Sequence, residues 1–231
     1  MRWPVGPAVR AGADHEGPRA WVQYKLASAS WYLDTLERLG QDFDFARLLG
    51  VEMALDGALA ALCGAVDAAQ RPVLAAVWAR DGRPPKGTGS FPRLKEFTPS
   101  LDERPEPLGS VGRALTAAEL WEGNPRAPAG WLAKLRFLRN RATHEDTLAR
   151  FVHVKVGAEE CTATGLSVPG EAASVEPVAY LRDAEHRVRE LSEQLLRVLA
   201  ELDPPPSQVP DRRSATVLGE PGPTLQEDAE A

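Results

Sequence analysis

Arg139, Asn140 and His144 fall within six residues of one another near the middle of the chain. An imidazole titrates near neutrality and can take up or release a proton. A guanidinium can fork onto two oxygens of a phosphate, and an amide can orient the ring or add a hydrogen bond to the anion. Metal-free cleavage of RNA asks for these groups. It needs a base for the 2′-hydroxyl proton, an acid for the leaving oxygen, and positive charge for the phosphorane-like transition state. The local charge fits such a substrate. Lys134, Arg136, Arg139, Arg141, Arg150 and Lys155 outnumber Glu145 and Asp146 in a chain whose net charge is −6.

The stretch 131–146, WLAKLRFLRNRATHED, must position these groups, and it reads as a helix. At about 100° per residue, Trp131, Leu135, Leu138 and Ala142 share a narrow arc and form a core-facing stripe. Arg136, Asn140 and His144 follow at i, i+4, i+8 on the opposite side, with Arg139 on the flank beside Asn140. Arg139 and His144 lie about 140° apart, a geometry that suits a groove shared between two protomers better than a site within one.

Arg139-Asn140-Arg141-Ala142-Thr143-His144 resembles the R-N-x-x-x-H form of the Arg-x4–6-His signature of HEPN domains. The helix order extends the similarity over roughly residues 19–202. The resemblance implies a small helical bundle whose two long helices form an antiparallel pair. It further implies a homodimer in which two His and two Arg meet in one cleft. Many such domains are metal-independent ribonucleases of toxin–antitoxin and defence systems; others only bind nucleotides or nucleic acid. On that resemblance His144 is the general acid/base, Arg139 the phosphate clamp and Asn140 the positioner. Arg136 and Arg141 add positive charge, and Glu52 or Asp56 supports from behind. Where some members carry a Tyr that a partner nucleotidyltransferase modifies, two residues after the His, this chain has Asp146.

A length of 231 residues suits one domain with tails. The tail 203–231 holds six acids and two Arg, so most of the negative excess lies there and a nucleic-acid partner is compatible with the rest. Two cysteines, Cys63 and Cys161, have no framework spacing, which implies a reduced, cytoplasmic setting. His15, His144, His153 and His186 share no metal-ligand spacing, so neither a metal nor another cofactor is expected. Gly87-Thr88-Gly89-Ser90 near Lys86 lacks the order of a P-loop and reads as linker. The N-terminus has no apolar run of a signal peptide, and no stretch approaches the roughly 20 apolar residues of a bilayer span.

In chain order, 1–17 is a loose N-terminus, and a helix from Pro18 to Leu39 carries the stripe Val22, Leu26, Ala29, Leu33 and Leu36. Trp21, Tyr24, Trp31 and Tyr32 on that helix read as core or groove filling, with base stacking as the other use. A second helix, capped by Asp42 or Asp44, is expected to stop before Pro72, and 74–80 could add a short helical piece. Its seam of Gly57, Ala61, Gly64 and Ala68 invites close approach of another helix, from this chain or a second protomer. Glu52 sits at the margin of its apolar stripe, and either pairs with Arg139 or faces solvent. Residues 81–109 form a long loop. Thr116 to Glu119 fits a capping box. Alternation in 151–156 predicts a strand, with a return strand at 161–164 or 166–168. Pro177 starts the last helix, whose alternating Arg182, Arg187, Arg189, Glu185, Glu190 and Glu193 read as a solvated face. The tail 203–231 is expected to be disordered.

The expected architecture is therefore an all-α antiparallel bundle over 18–202, HEPN-like, with a small β-hairpin at 151–168 before the last helix. The expected activity is RNA cleavage by a homodimer, in a toxin or defence effector that an antitoxin partner could restrain, with no membrane partner. The alternative is a catalytically inactive HEPN-like module that binds nucleotide or RNA or regulates a partner. A scaffold whose small-residue seam serves only assembly is a third reading.

Overall fold

The computed structural model describes residues 16–39, 45–80, 101–120, 128–144, 150–154 and 161–202. The elements are α1 (Glu16–Leu39), α2 (Phe45–Arg80), α3 (Leu108–Ala118), α4 (Trp131–His144), β1 (Arg150–Val154), β2 (Cys161–Leu166) and α5 (Pro177–Glu201). This is an all-α bundle with one small hairpin ahead of its last helix. The expected loop 81–109 ends earlier than predicted, because Leu101 and Leu108 are both buried in the core. Residues 1–15 and the tail 203–231 lie outside the described residues.

The small-residue seam of α2 is filled by α1 of the same chain. A Cβ placed on Gly50, Gly57 or Gly64 would meet Leu39, Tyr32 or Lys25 respectively. Residue numbers rise on one helix as they fall on the other, so the two long helices are antiparallel. The seam's partner is thereby assigned, and it serves packing within the chain. α5 runs antiparallel to α1 as well. Arg182 reaches Asp34 and Glu37, and one helical turn on, Ser30 donates to Glu185. Leu33, Leu55, Leu59, Leu62, Leu181 and Leu195 are fully buried between these three helices.

Several local expectations are corrected by tertiary packing. α2 does not stop before Pro72 but continues to Arg80 with the proline inside it. An internal proline costs about 3 kcal/mol or more, and here burial of Val73, Leu74, Ala76 and Val77 beyond it offsets that cost. One consequence is that Leu49–Val77 is, by length and composition, apolar enough to cross a membrane, contrary to the expectation above; half of it is buried inside the bundle. The 116–119 segment ends a helix where a capping box would start one. α3 closes at Ala118, the Glu119 N–H donates to the Leu115 carbonyl at 2.9 Å, and the Thr116 hydroxyl donates to Asp102 at 3.0 Å.

Of the α1 aromatics only Tyr32 packs as filler, beneath Gly57; Trp21, Tyr24 and Trp31 stand exposed. On α5, Glu185 is buried, accepting from Ser30, Arg182 and Arg189, so that part of the helix is an interhelical ion cluster, not a solvated face. The other expectations for this end hold. Pro177 opens α5, and Glu176 caps it by accepting from the Val178 and Ala179 N–H groups. The hairpin pairs Arg150 with Leu166 and Val154 with Cys161, its register shifting between Phe151 and Val152. A bridge from Leu166 to Val175 carries the chain on toward α5.

The two seam glycines differ in the room they leave. At Gly57 a methyl group would lie 2.4 Å from the Tyr32 ring, whereas at Gly64 it would lie 3.3 Å from the flexible Lys25 chain. Gly57→Ala is therefore expected to lower stability by about 1–3 kcal/mol through overpacking. Gly64→Ala is expected to be neutral or to gain up to about 1 kcal/mol of helix propensity. Urea denaturation of the two variants checks this, and equal stabilisation by both would contradict the contact assigned to Gly57.

Candidate functional site

α4 is seated from its first turn. The Ala129 and Gly130 N–H groups both donate to the Leu120 carbonyl, at 3.0 and 2.9 Å, and the Gly130 carbonyl accepts from the Lys134 N–H at 2.9 Å. Gly130 must be glycine here, because a Cβ would lie 2.2 Å from the Ala118 carbonyl oxygen. Lys134 Nζ pairs with Glu171 Oε1 at 2.7 Å and ties the helix to the segment after the hairpin. Leu132, Ala133, Leu135 and Leu138 are buried, with Trp131 and Ala142 at the margins, so the buried arc is wider than the predicted stripe.

Arg136 is the main correction. It was expected on the outward face with Asn140 and His144, yet its side chain is only 2% exposed. Its Nη2 lies 3.3 Å from Asp67 Oδ1 and 3.2 Å from Gln70 Oε1, both on α2. Its Nη1 pairs at 3.1 Å with Glu119 Oε1 at the end of α3, a carboxylate as buried as the guanidinium. Burying such a charge is costly unless it is paired, and here two acids and an amide surround it. Arg136 thus serves to fix α4 against α2 and α3.

Arg139 also turns inward. It is half-buried, with its guanidinium beside the thiol of Cys63 on α2. Its Nε is buried and has no acceptor among the described residues. Burial pushes the Cys63 thiol up to about 11, against the opposing pull of Arg136 and Arg139, so the thiol is protonated and inert at neutral pH. Burial also raises the Tyr180 phenol at the start of α5, with Glu171 and the nearby Cys63 adding to the effect. Arg136, Arg139, Cys63, Asp67 and Tyr180 therefore belong to one polar seam inside the bundle.

With Arg136 opposite Asp67 and Gln70, and Arg139 opposite Cys63, α4 and α2 are antiparallel. Glu52 lies eleven residues before Cys63, about 16 Å along the axis at 1.5 Å per residue. Cys63 is accordingly the neighbour of Arg139, so of the two readings given for Glu52 and Asp56 the pairing with Arg139 is not the one found. Glu52 is half-buried, and Asp56 is exposed at the level of the C-terminal end of α4. That end opens to solvent: Asn140 and Thr143 are exposed, the Thr143 hydroxyl donates to the Arg139 carbonyl at 2.8 Å, and the Arg141 guanidinium lies 5.9 Å from the Phe137 ring. His144 is the last residue of α4, and its side chain lies outside the described residues. Among the described residues no group of three or more His, Cys, Asp or Glu is placed to hold a metal ion.

Sequence reasoning missed Cys63, Asp67, Gln70, Glu119 and Tyr180. Asp67 was visible as an acid in an otherwise apolar stretch. Glu119 was masked by its resemblance to a cap residue.

The buried thiol makes stability depend on pH. The folded protein holds a proton on Cys63 up to about pH 11, where the unfolded chain releases it near 9. Stability is therefore intact below pH 9 and falls as pH rises toward 11, by about 1.4 kcal/mol per unit. Tyr180 acts in the same direction at higher pH. Denaturant midpoints should drop between pH 9 and 10, and Cys63→Ala should flatten that drop. In a Cys161→Ser background the native thiol should resist a disulfide reagent at pH 8 until denaturant is added. Rapid labelling of the native protein would contradict this burial.

Compared with family models, with curated proteins and with solved structures, the chain matches none of them.

Proposed function

We propose that this chain is a metal-independent RNA endonuclease of HEPN type, acting as a cytoplasmic homodimer in a toxin or defence role, with an antitoxin as a further partner. The 2′-oxygen attacks the adjacent phosphorus as His144 of one protomer takes its proton. The bond from phosphorus to the 5′-oxygen breaks as the second His144 returns a proton to that oxygen. The products are a 2′,3′-cyclic phosphate and a 5′-hydroxyl. Arg139 stabilises the extra charge on the phosphorane oxygens, and Asn140 orients the ring or the phosphate. Arg141 contributes positive potential at the same helix end.

What supports this reading is the join of a rigidly seated helix to an open end. The buried contacts of Arg136 and Gly130 hold α4 in place, while Asn140 is exposed one turn before His144.

A second reading, a silent nucleotide- or RNA-binding module, is favoured by one feature. Arg139 is half-buried beside Cys63 inside the bundle, which leaves less of its guanidinium open to a phosphate.

Incubating the purified chain with RNA in EDTA separates the two. Cleavage should persist without divalent metal and yield cyclic phosphate ends. His144→Ala should lower the rate by about 100-fold or more. A wild type no more active than His144→Ala removes the nuclease reading. Binding that is lost in Arg139→Ala, with no cleavage by either form, leaves the silent module.

A further inference from the structure

α4 carries Lys134, Arg136, Arg139 and Arg141, and no acid. Three of these cations are taken up by the bundle. Lys134 pairs with Glu171, Arg136 is enclosed by Asp67, Gln70 and Glu119, and Arg139 lies half-buried beside Cys63. Arg141 takes another course. Its guanidinium sits 5.9 Å from the centroid of the Phe137 ring, one turn back on the same helix, at the spacing where side chains on a helix meet.

The helix phase separates the two C-terminal arginines. At 100° per residue, positions 137, 140, 141 and 144 fall within about 100° of arc. Position 141 is about 60° from position 144 and less than one turn before it, whereas position 139 is about 140° away. Arg141 therefore shares a face with the exposed Asn140 and with the His144 position, and Arg139 does not. Phe137 and Arg141 are both half-buried, so the ring is a fixed support and not a loose surface group. A guanidinium laid on an aromatic ring is held in one plane and keeps its N–H edge for oxygens. Asp56 of α2 is exposed at the level of this helix end, so the field there is mixed in sign. What Arg141 offers a phosphate is a directed fork, and bulk potential is secondary.

We propose that Arg141 makes the standing phosphate contact of this site, and that Phe137 is the positioning residue that holds its guanidinium. The inference rests on the RNA reading above and divides the work between the two arginines. Arg141 grips a phosphate of the bound strand before any bond changes, so its contribution lies in binding. Arg139 is left with the charge that develops on the phosphorane, so its contribution lies in the chemical step.

The test uses the full-length chain and a fluorescein-labelled oligouridylate with 2′-O-methyl groups, which cannot form a cyclic phosphate and survives whether or not the protein is a nuclease. Fluorescence anisotropy over a range of salt compares the wild type with Arg141→Gln, Arg141→Lys, Phe137→Leu, Phe137→Tyr and Arg139→Gln, each first checked by circular dichroism. Arg141→Gln should weaken binding by about tenfold and reduce the slope of log K against log salt by about 0.7, the loss of one phosphate contact on a single strand. Arg141→Lys should keep the slope but not the full affinity, because the charge remains and the fork is gone. Phe137→Leu should weaken binding, and Phe137→Tyr, which keeps a ring, should restore it. Arg139→Gln should keep the wild-type slope. No binding by the wild type at low salt, an unchanged slope in Arg141→Gln, or a slope reduced by Arg139→Gln in its place would each overturn the proposal. So would Phe137→Leu binding as the wild type does. Cleavage of ordinary RNA lets the two readings fail separately. If Arg141→Gln cuts with an unchanged KM, this assignment fails and cleavage stands. If the slope falls in Arg141→Gln in a protein that cuts nothing, the assignment stands and cleavage fails.

Discussion

The guanidinium of Arg136, enclosed by Asp67, Gln70 and Glu119, is the contact on which the rest of this structure depends. Withdrawing a guanidinium and a carboxylate from water costs several kcal/mol per ion, and only close pairing repays it. Apolar packing would tolerate some sliding of α4 along α2. A buried ion cluster does not, because a displacement of one turn would leave each charge facing hydrocarbon. The same cluster joins the end of α3 to both helices. It therefore sets the register of three elements at one point.

The chemistry-bearing end of α4 inherits its position from that point. One turn beyond Arg136, Arg139 comes level with Cys63, and a turn later the helix reaches solvent at Thr143. α4 is thus an anchor in its first two turns and an exposed terminus in its last. The closeness of α1 to α2 has a comparable cause. Gly57 lets the Tyr32 ring settle over the helix backbone, and this keeps α1 pressed on α2 while its opposite face displays rings to solvent.

The fold was largely legible in the residue pattern. Three-and-four spacing marked α1, α2, α4 and α5, alternation marked the hairpin, and Pro177 marked the start of the last helix. Wherever a local signal competed with tertiary packing, the packing prevailed. Pro72 failed to end α2 because apolar side chains on both of its sides are buried. Thr116 to Glu119 imitated a helix start, yet Glu119 was committed to an arginine in another element. Of the candidate site, the helix and its exposed Asn140 were readable, but the inward turn of Arg136 and Arg139 was not. A helical wheel assigns a charged residue to the polar side by default, and only the partners, Asp67, Gln70, Glu119 and Cys63, reverse that assignment. The partners of Arg136 on α2 are separated from it by up to 69 residues, beyond the reach of any local pattern.

A double-mutant cycle on Arg136 and Glu119 tests the central claim most directly, with folding free energies measured by denaturant titration at neutral pH. If the buried pair fixes α4, Arg136→Met and Glu119→Leu should each destabilise the protein by about 3–5 kcal/mol, since each strands the opposite charge. The double variant should then lose much less than the sum, because a packed apolar pair replaces both ions. Strictly additive losses, or single variants within about 0.5 kcal/mol of the wild type, would contradict it.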